Sequence, residues 1–343
     1  MNIYRLLNIY TKIKSTRIKA LGLLTMHLLH WRYTCLFFDP ILACNLRCRM
    51  CYFSDPERRK DIHGHFTSED INTIAKNIFP HLRKLQIGCG AEPTLHKNLE
   101  DIIKLGKKFH VPYISITTNG NLLDYDKLSV LIKAGLNEIT LSVHGMTQEI
   151  YEYFMPGAEF AHIKQLITDL KKIKAKYPSF KIRINYTINE RNINDLTQFE
   201  TFFEGLTIDT LQLRPIQKIG ESAYSNFSMG KVLNLYDSII TPLVNLCSQQ
   251  GTRCLYPTKQ NIQNLHLGVS ENETESSNIV IDMMPHFYIA PWPDWQEKYN
   301  PYQEDFYKYC QRTKRVQLLL REIFHPSKAK KEDVTKSMNY HVK

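Results

Sequence analysis

Three cysteines stand close together in Cys44-Asn-Leu-Arg-Cys48-Arg-Met-Cys51. Thiolates at that spacing on one loop can surround a metal centre from one side. One reading is an iron–sulfur cluster held by three protein ligands, whose fourth iron keeps open coordination for a substrate or cofactor. The other is zinc, with Cys44, Cys48 and Cys51 joined by His63 or His65 in a Cys3His site. Arg47 and Arg49, interleaved with the thiols, either offset the negative charge of such a centre or face water. Cys35, Cys89, Cys247, Cys254 and Cys310 are scattered along the chain. Uneven use of this kind indicates metal binding rather than a disulfide framework, and with it a reducing, cytoplasmic setting.

The triad follows a β-rich run, Leu36–Leu42, the first of a series completed by Lys84–Ile87, Tyr113–Thr117, Glu138–Val143, Lys181–Ile188 and Thr210–Ile216. Helical patterns lie between them over Thr67–Ile78, Asn98–Phe109, Asp126–Ala134, Phe160–Lys176 and Asp195–Glu204. Strand–helix alternation at this spacing predicts parallel strands with right-handed crossovers. With no clear seventh or eighth unit, the expected fold is α/β, an open partial (βα)6 TIM-type barrel. The triad then sits on the first βα loop, at the C-terminal mouth where barrel active sites lie.

The strands also carry a pattern of their own. In Lys181-Ile-Arg-Ile-Asn-Tyr-Thr-Ile-Asn189 the odd positions Lys181, Arg183, Asn185, Thr187 and Asn189 are polar and the even ones mainly apolar. Thr140, Ser142 and His144 repeat this, as do Gln212 with Arg214 and Ser115 with Thr117 and Asn119. A barrel ordinarily fills its interior with branched apolar side chains. Polar faces on consecutive strands instead predict a lumen that binds a polar ligand.

Charge and hydropathy bound the rest. A hydrophobic fraction of 43% lets 343 residues bury a sizeable core. The net charge of +10 resides in the ends, because residues 1–35 carry Arg5, Lys12, Lys14, Arg17, Lys19 and Arg32 and no acid, and the C-terminal stretch is Lys-rich. The middle is therefore slightly acidic, and a nucleic-acid partner is not expected. The apolar run Leu21–Leu29 is interrupted by His27 and is about half the ~20 residues of a membrane span. It lacks a small-residue cleavage site. Residues 4–30 read either as a basic amphipathic helix in peripheral contact with a membrane surface or as a helix packed against the barrel's end. The expected organisation is a basic amphipathic N-terminal extension over 1–35, the core barrel over 36–220, a C-terminal α+β region of unassigned type over 221–326, and a basic disordered tail over 327–343. Within the C-terminal region, helices are expected over Lys231–Gln249 and Glu304–Ile323. An exposed loop is expected over Glu271–Ser277, an apolar run over Ile279–Met284, and an aromatic segment that includes Trp292 and Trp295.

At this point the chain resembles the radical S-adenosylmethionine (AdoMet) superfamily over roughly residues 36–220. The superfamily's CxxxCxΦC signature is present with Met50 at Φ. Its Gly-Gly-Glu-Pro motif is similar to Gly88-Cys89-Gly90-Ala91-Glu92-Pro93, and its Thr-Asn-Gly is matched by Thr118-Asn119-Gly120. A fourth-strand Ser is matched by Ser142 and a fifth-strand Asn by Asn185. The core is most similar to the group of the molybdopterin-precursor cyclase and the peptide-modifying maturases. Ala91 departs from the usual Gly, and Cys89 lies inside the motif, where strand parity turns it outward as a buried structural thiol.

The resemblance implies a [4Fe–4S] cluster on Cys44, Cys48 and Cys51, with AdoMet chelated to its open iron. Glu92 and the backbone of Gly90 and Ala91 would receive the AdoMet ammonium. Thr118 and Asn119 would belong to the same cofactor site, Ser142 and Asn185 would bond the ribose hydroxyls, and Arg183 would neutralise the carboxylate. The implied activity is reductive cleavage of AdoMet to a 5′-deoxyadenosyl radical, which abstracts hydrogen from a small polar or peptide substrate. The implied electron donor is a reductant such as flavodoxin or ferredoxin. A non-catalytic zinc or iron–sulfur protein on the same scaffold is the alternative. His144 is the histidine best placed by strand parity to meet substrate, and Arg214 could grip an anionic group or form a structural ion pair. Cys247, Cys254 and Cys310 lack the tight CxxC grouping of auxiliary clusters, so none is expected there.

Overall fold

The computed structural model describes residues 12–217, 222–268, 286–291 and 299–326. The expected loop Glu271–Ser277, the apolar run Ile279–Met284, Trp292, Trp295, the first residues of the N-terminal extension and the basic tail lie outside these residues. The strands are β1 Thr34–Phe38, β2 Leu82–Ile87, β3 Ile114–Thr118, β4 Glu138–Ser142, β5 Lys181–Ile188, β6 Thr210–Pro215, β7 Arg253–Leu255 and β8 His286–Ile289. They form one open sheet in the order β7-β6-β5-β4-β3-β2-β1-β8, and every pair is parallel.

An open parallel barrel is thus the fold, with a correction to its strand number. β7 and β8 extend the six expected strands to eight. Both belong to the C-terminal region, which shares the sheet with the core. Strands of three and four residues are too short to show a period in sequence, and backbone pairing to β6 and β1 is what defines them.

Helices fill the crossovers for the reason their spacing predicts. In α3 (Ser68–Ile78) the buried residues are Ile71, Ile74, Ala75 and Ile78, and in α4 (Leu99–Lys108) they are Leu99, Ile102, Ile103 and Gly106. Both sets follow the i, i+3, i+4, i+7 stripe of a helix packed on a sheet. Thr67 and Asp70 close a reciprocal capping box at the start of α3. The short α2 (Pro56–Asp61) follows the cysteine loop. α5 (Tyr125–Ala134), α6 (Gln148–Phe154) and α7 (Phe160–Lys176) complete the central crossovers, and Ile163, Leu166, Ile167, Leu170 and Ile173 give α7 its buried stripe. On β5 the even residues Ile182, Ile184, Tyr186 and Ile188 are fully buried, while Lys181, Asn185 and Thr187 keep partial access. Each such apolar side chain contributes about 1.5–3 kcal/mol by leaving water, so the sheet's register is fixed with its polar side toward the lumen.

Several expected helices are broken. Asp195–Glu204 is a 3-10 helix, Ile193–Gln198, running into the single turn α8, Phe199–Phe202. Lys231–Gln249 is divided into α9 (Gly230–Asn234), a π turn (Tyr236–Ile240) and α10 (Thr241–Gln249). Pro242 at the start of α10 has no N–H for the preceding turn. α11 (Lys259–His266) follows β7. Glu304–Ile323 is divided into α12 (Phe306–Arg312) and α13 (Arg315–Phe324) by Lys314 at φ +52°. The N-terminal helix α1 (Thr16–Leu28) packs against α13 and buries Thr16, Ala20, Leu23 and Leu24.

Candidate functional site

The cysteine loop is pinned to the chain that follows β4. Arg47 N–H donates to the Pro156 carbonyl and Arg49 N–H to that of Phe154, each at 3.0 Å, while Arg49 Nε donates to Tyr153 O at 2.8 Å. The Arg47 guanidinium turns back onto the carbonyls of Cys44 and Leu46, both at 2.7 Å. The two arginines therefore shape the loop before they offset any charge. Met50, at the Φ position, is buried, with its sulfur accepting from Asn189 Nδ2 at 3.3 Å.

The three thiols share one neighbourhood. Burial pushes Cys44 up to about 11, raises Cys48 well above the usual thiol range and raises Cys51. Cys51 and Cys44 add to the rise at Cys48, followed by the Glu92 carboxylate. Three enclosed thiols beside a carboxylate suit a cationic metal group, which reverses this penalty by holding them as thiolates. Among the described residues no three His, Cys, Asp or Glu side chains stand at metal-holding spacing. His63 and His65 are exposed. His63 Nδ1 faces the Lys60 carbonyl and residue 65 bridges to Ile41, and neither is among the main charges acting on the thiols.

A hub of hydrogen bonds joins this loop to the turns after β2 and β3. Asp39, directly after β1, is fully buried and accepts from Cys89 N–H at 2.7 Å, Gly90 N–H at 2.9 Å and the Tyr288 hydroxyl at 2.8 Å. Tyr52 donates its hydroxyl to the Gly90 carbonyl. A Cβ at Gly90 would stand 2.8 Å from that hydroxyl, so any other residue there requires the end of the Tyr52 side chain to shift. Glu92 is 2% exposed. Its Oε1 accepts from Thr94 N–H at 3.1 Å, Thr94 Oγ1 at 2.6 Å and Thr118 Oγ1 at 2.7 Å, and its Oε2 accepts from Asn119 N–H at 2.8 Å. Asn119 Nδ2 in turn donates to Asn45 Oδ1 at 2.9 Å and approaches Cys44 Sγ at 3.8 Å. Glu92 N–H donates to the Ala43 carbonyl at 2.9 Å. Burial raises both Asp39 and Glu92 against the opposing effect of these donors.

Sequence reasoning missed Asp39, Asn45, Tyr52 and Tyr288. An acid in an apolar strand run was the available signal for Asp39, whereas Tyr288 lies on the unrecognised β8. Cys89 is half-buried, with Sγ 4.0 Å from the Gln86 carbonyl, and burial followed by Asp39 raises it well above its usual range.

The lumen rows follow from register. Thr140, Arg183 and Thr210 form one row across β4, β5 and β6, and Ser142, Asn185 and Gln212 the next toward the mouth. Among the described residues, Asn185 Oδ1 is buried with no hydrogen-bond partner. Arg183 is buried and pairs with Glu138 at 3.6 Å, one row deeper than Asn185. Nearest the mouth, His144 Nδ1 accepts from Thr187 N–H at 3.2 Å, and Thr187 pairs with Arg214. Cys247 and Cys254 adjoin each other, whereas Cys310 lies against Tyr33, so the three do not form one ligand set.

His144 has a consequence for acid stability. Burial, with the Arg214 charge, lowers it to about 4 from 6.5. Between those values the unfolded chain holds the extra proton, so stability present above the higher value is lost as pH falls toward the lower one. At about 1.4 kcal/mol per unit, the His144 part is at most ~3 kcal/mol. Urea unfolding of His144→Gln beside the parent, between about pH 7 and about pH 5, is expected to show a smaller acid loss in the variant.

Residues 39–199 match the radical SAM superfamily. The GTP 3′,8-cyclase of Aquifex aeolicus is 30% identical over 207 residues, 56% of this chain and 60% of that protein. A probable GTP 3′,8-cyclase of Methanocaldococcus jannaschii is 28% identical over 203 residues, 58% of this chain and 65% of that protein. The chain thus spans about three-fifths of the length of these relatives. Among solved structures, native anSMEcpe with bound AdoMet and Cp18Cys peptide superposes with a TM-score of 0.57 at 17% identity, covering 85% of this chain and 84% of that one. Streptococcus suis SuiB bound to precursor peptide SuiA gives 0.54 at 15% identity, covering 75% and 57%. These two likenesses are of fold.

Proposed function

We propose that this chain, in which residues 39–199 form a radical SAM domain, is an enzyme that cleaves AdoMet reductively and directs the radical at a small polar or peptide substrate. When bound, the [4Fe–4S] cluster and AdoMet of that superfamily supply one-electron cleavage of the S–C5′ bond and the 5′-deoxyadenosyl radical. The observation that carries the reading is the unit joining the cysteine loop to the β2 and β3 turns through Asn119, Asn45 and Glu92.

Within that reading Cys44, Cys48 and Cys51 hold the cluster. Glu92 first ties Thr118 and Asn119 to its own turn. Its Oε1 is filled by three donors, so Oε2 and the backbone of Gly90 and Ala91 are what remain to receive an ammonium group. Ser142 and Asn185, adjacent across β4 and β5, receive the ribose hydroxyls. Arg183, already balanced by Glu138, is a fixed cation of the row beneath rather than the direct partner of the carboxylate.

Anaerobic reconstitution with iron and sulfide tests the proposal. About four irons per chain and release of 5′-deoxyadenosine under a strong reductant, such as reduced flavodoxin or ferredoxin, are expected. Stoichiometric zinc in the native protein with no AdoMet cleavage would establish the non-catalytic metal-binding reading instead. A finer prediction concerns Asn185. Because its Oδ1 has no partner among the described residues, Asn185→Ala is expected to leave the melting temperature nearly unchanged. It should weaken AdoMet about tenfold, the worth of one net hydrogen bond, as read by equilibrium binding to the reconstituted protein. Unchanged affinity would remove Asn185 from the site.

A further inference from the structure

Helix α1 presents apolar side chains in two directions. Ala20, Leu23 and Leu24 are buried, while Ile18, Leu21 and Leu28 are 58%, 54% and 62% exposed. At 3.6 residues per turn, these three share one arc with the exposed Gly22 and Thr25, and Arg17 stands at its edge. Just past the helix, Trp31 is 61% exposed, and on the neighbouring α13 Phe324 is 68% exposed. A surface helix ordinarily turns charge to water. Grouped apolar side chains left in solvent mark an interaction surface.

Charge selects the occupant. Residues 1–35 contain no acid, and Lys12, Lys14 and Arg17 are exposed around the start of α1. On α13 the base Arg321 is exposed and the acid Glu322 is buried. Apolar residues beside exposed cations complement an anionic lipid surface, where tryptophan settles at headgroup level. Among the described residues no helix is long and apolar enough to cross a membrane, which leaves an in-plane contact. We propose that α1 docks this protein on an anionic lipid bilayer. Ile18, Leu21, Leu28 and Trp31 enter the acyl boundary, and Lys12, Lys14 and Arg17 meet the phosphates.

Vesicle flotation of the full chain tests this, using phosphatidylcholine alone and phosphatidylcholine mixed with phosphatidylglycerol. Flotation is expected only with the anionic vesicles and should weaken as salt is raised. Leu21→Ser with Leu28→Ser should abolish it. Lys12→Gln, Lys14→Gln and Arg17→Gln together should weaken it roughly a hundredfold, since each cation at such a surface is worth roughly fivefold. These side chains are exposed, so the circular dichroism spectrum and AdoMet cleavage should match the parent. The proposal is overturned by no flotation with anionic vesicles, by flotation indifferent to the leucine changes, or by a dimer in sedimentation velocity that Leu21→Ser with Leu28→Ser dissociates. Flotation gained only after removal of residues 1–11 also overturns it, because that segment then occupies the face.

Discussion

Cys48→Ala is expected to reduce reconstituted iron from about four per chain to a small fraction of that and to make AdoMet cleavage undetectable. Cys48 lies in the middle of the triad and packs against the hydrophobic core. Its thiol is held well above the usual range by burial, then by Cys51 and Cys44. Such a thiol is inert alone and becomes a ligand only when a cation compensates its charge. Removing it leaves two thiolates, and the other side chains near the loop are already engaged: Arg47 and Arg49 with backbone carbonyls, Glu92 with four donors. The loss of side-chain volume costs about 1–2 kcal/mol, so the variant should still fold by circular dichroism. Cys89→Ala is the matched control. Cys89 sits in the adjoining turn, where its backbone N–H donates to Asp39 and its thiol meets only the Gln86 carbonyl, and its variant should load iron as the parent does. Full iron and full cleavage in Cys48→Ala would remove the triad from the chemistry.

The fold was legible because it depends on periodic and local patterns. The strand positions around Glu138, Lys181 and Thr210 came from alternation that burial of Ile182, Ile184 and Tyr186 enforces. The α7 boundaries, Phe160–Lys176, came from an uninterrupted stripe. What stayed hidden depends on tertiary partners. β8 has four residues and no period, yet it brings Tyr288 to Asp39. Arg183 was legible as a lumen residue, but its pairing with Glu138 follows from neighbouring strands starting in register. Glu92 was read as a ligand for AdoMet alone. That its carboxylate also ties together two turns follows from Thr118 and Asn119 ending β3 beside it.

Asp39 yields the second large expected effect, and it separates positioning from ligation. Its carboxylate is the shared acceptor for Cys89 N–H, Gly90 N–H and the Tyr288 hydroxyl, in a place with no solvent access. Asp39→Ala would orphan all three donors, each at about 1–3 kcal/mol, a large share of the ~5–15 kcal/mol that typically holds a domain together. Asp39→Asn is the more informative change, since it keeps the shape and one acceptor while turning an N–H group toward donors. The Gly90–Ala91 backbone would then lose its fixed orientation without loss of any thiol. The expected outcome is near-normal iron content with AdoMet affinity weakened at least about tenfold, the worth of one misplaced charge-assisted hydrogen bond. Tyr288→Phe removes a single donor and should have a smaller effect in the same direction. A purely structural role would instead lower iron loading, affinity and melting temperature together. Asp39→Asn protein that binds AdoMet as tightly as the parent would show that this turn does not need the carboxylate to hold its shape.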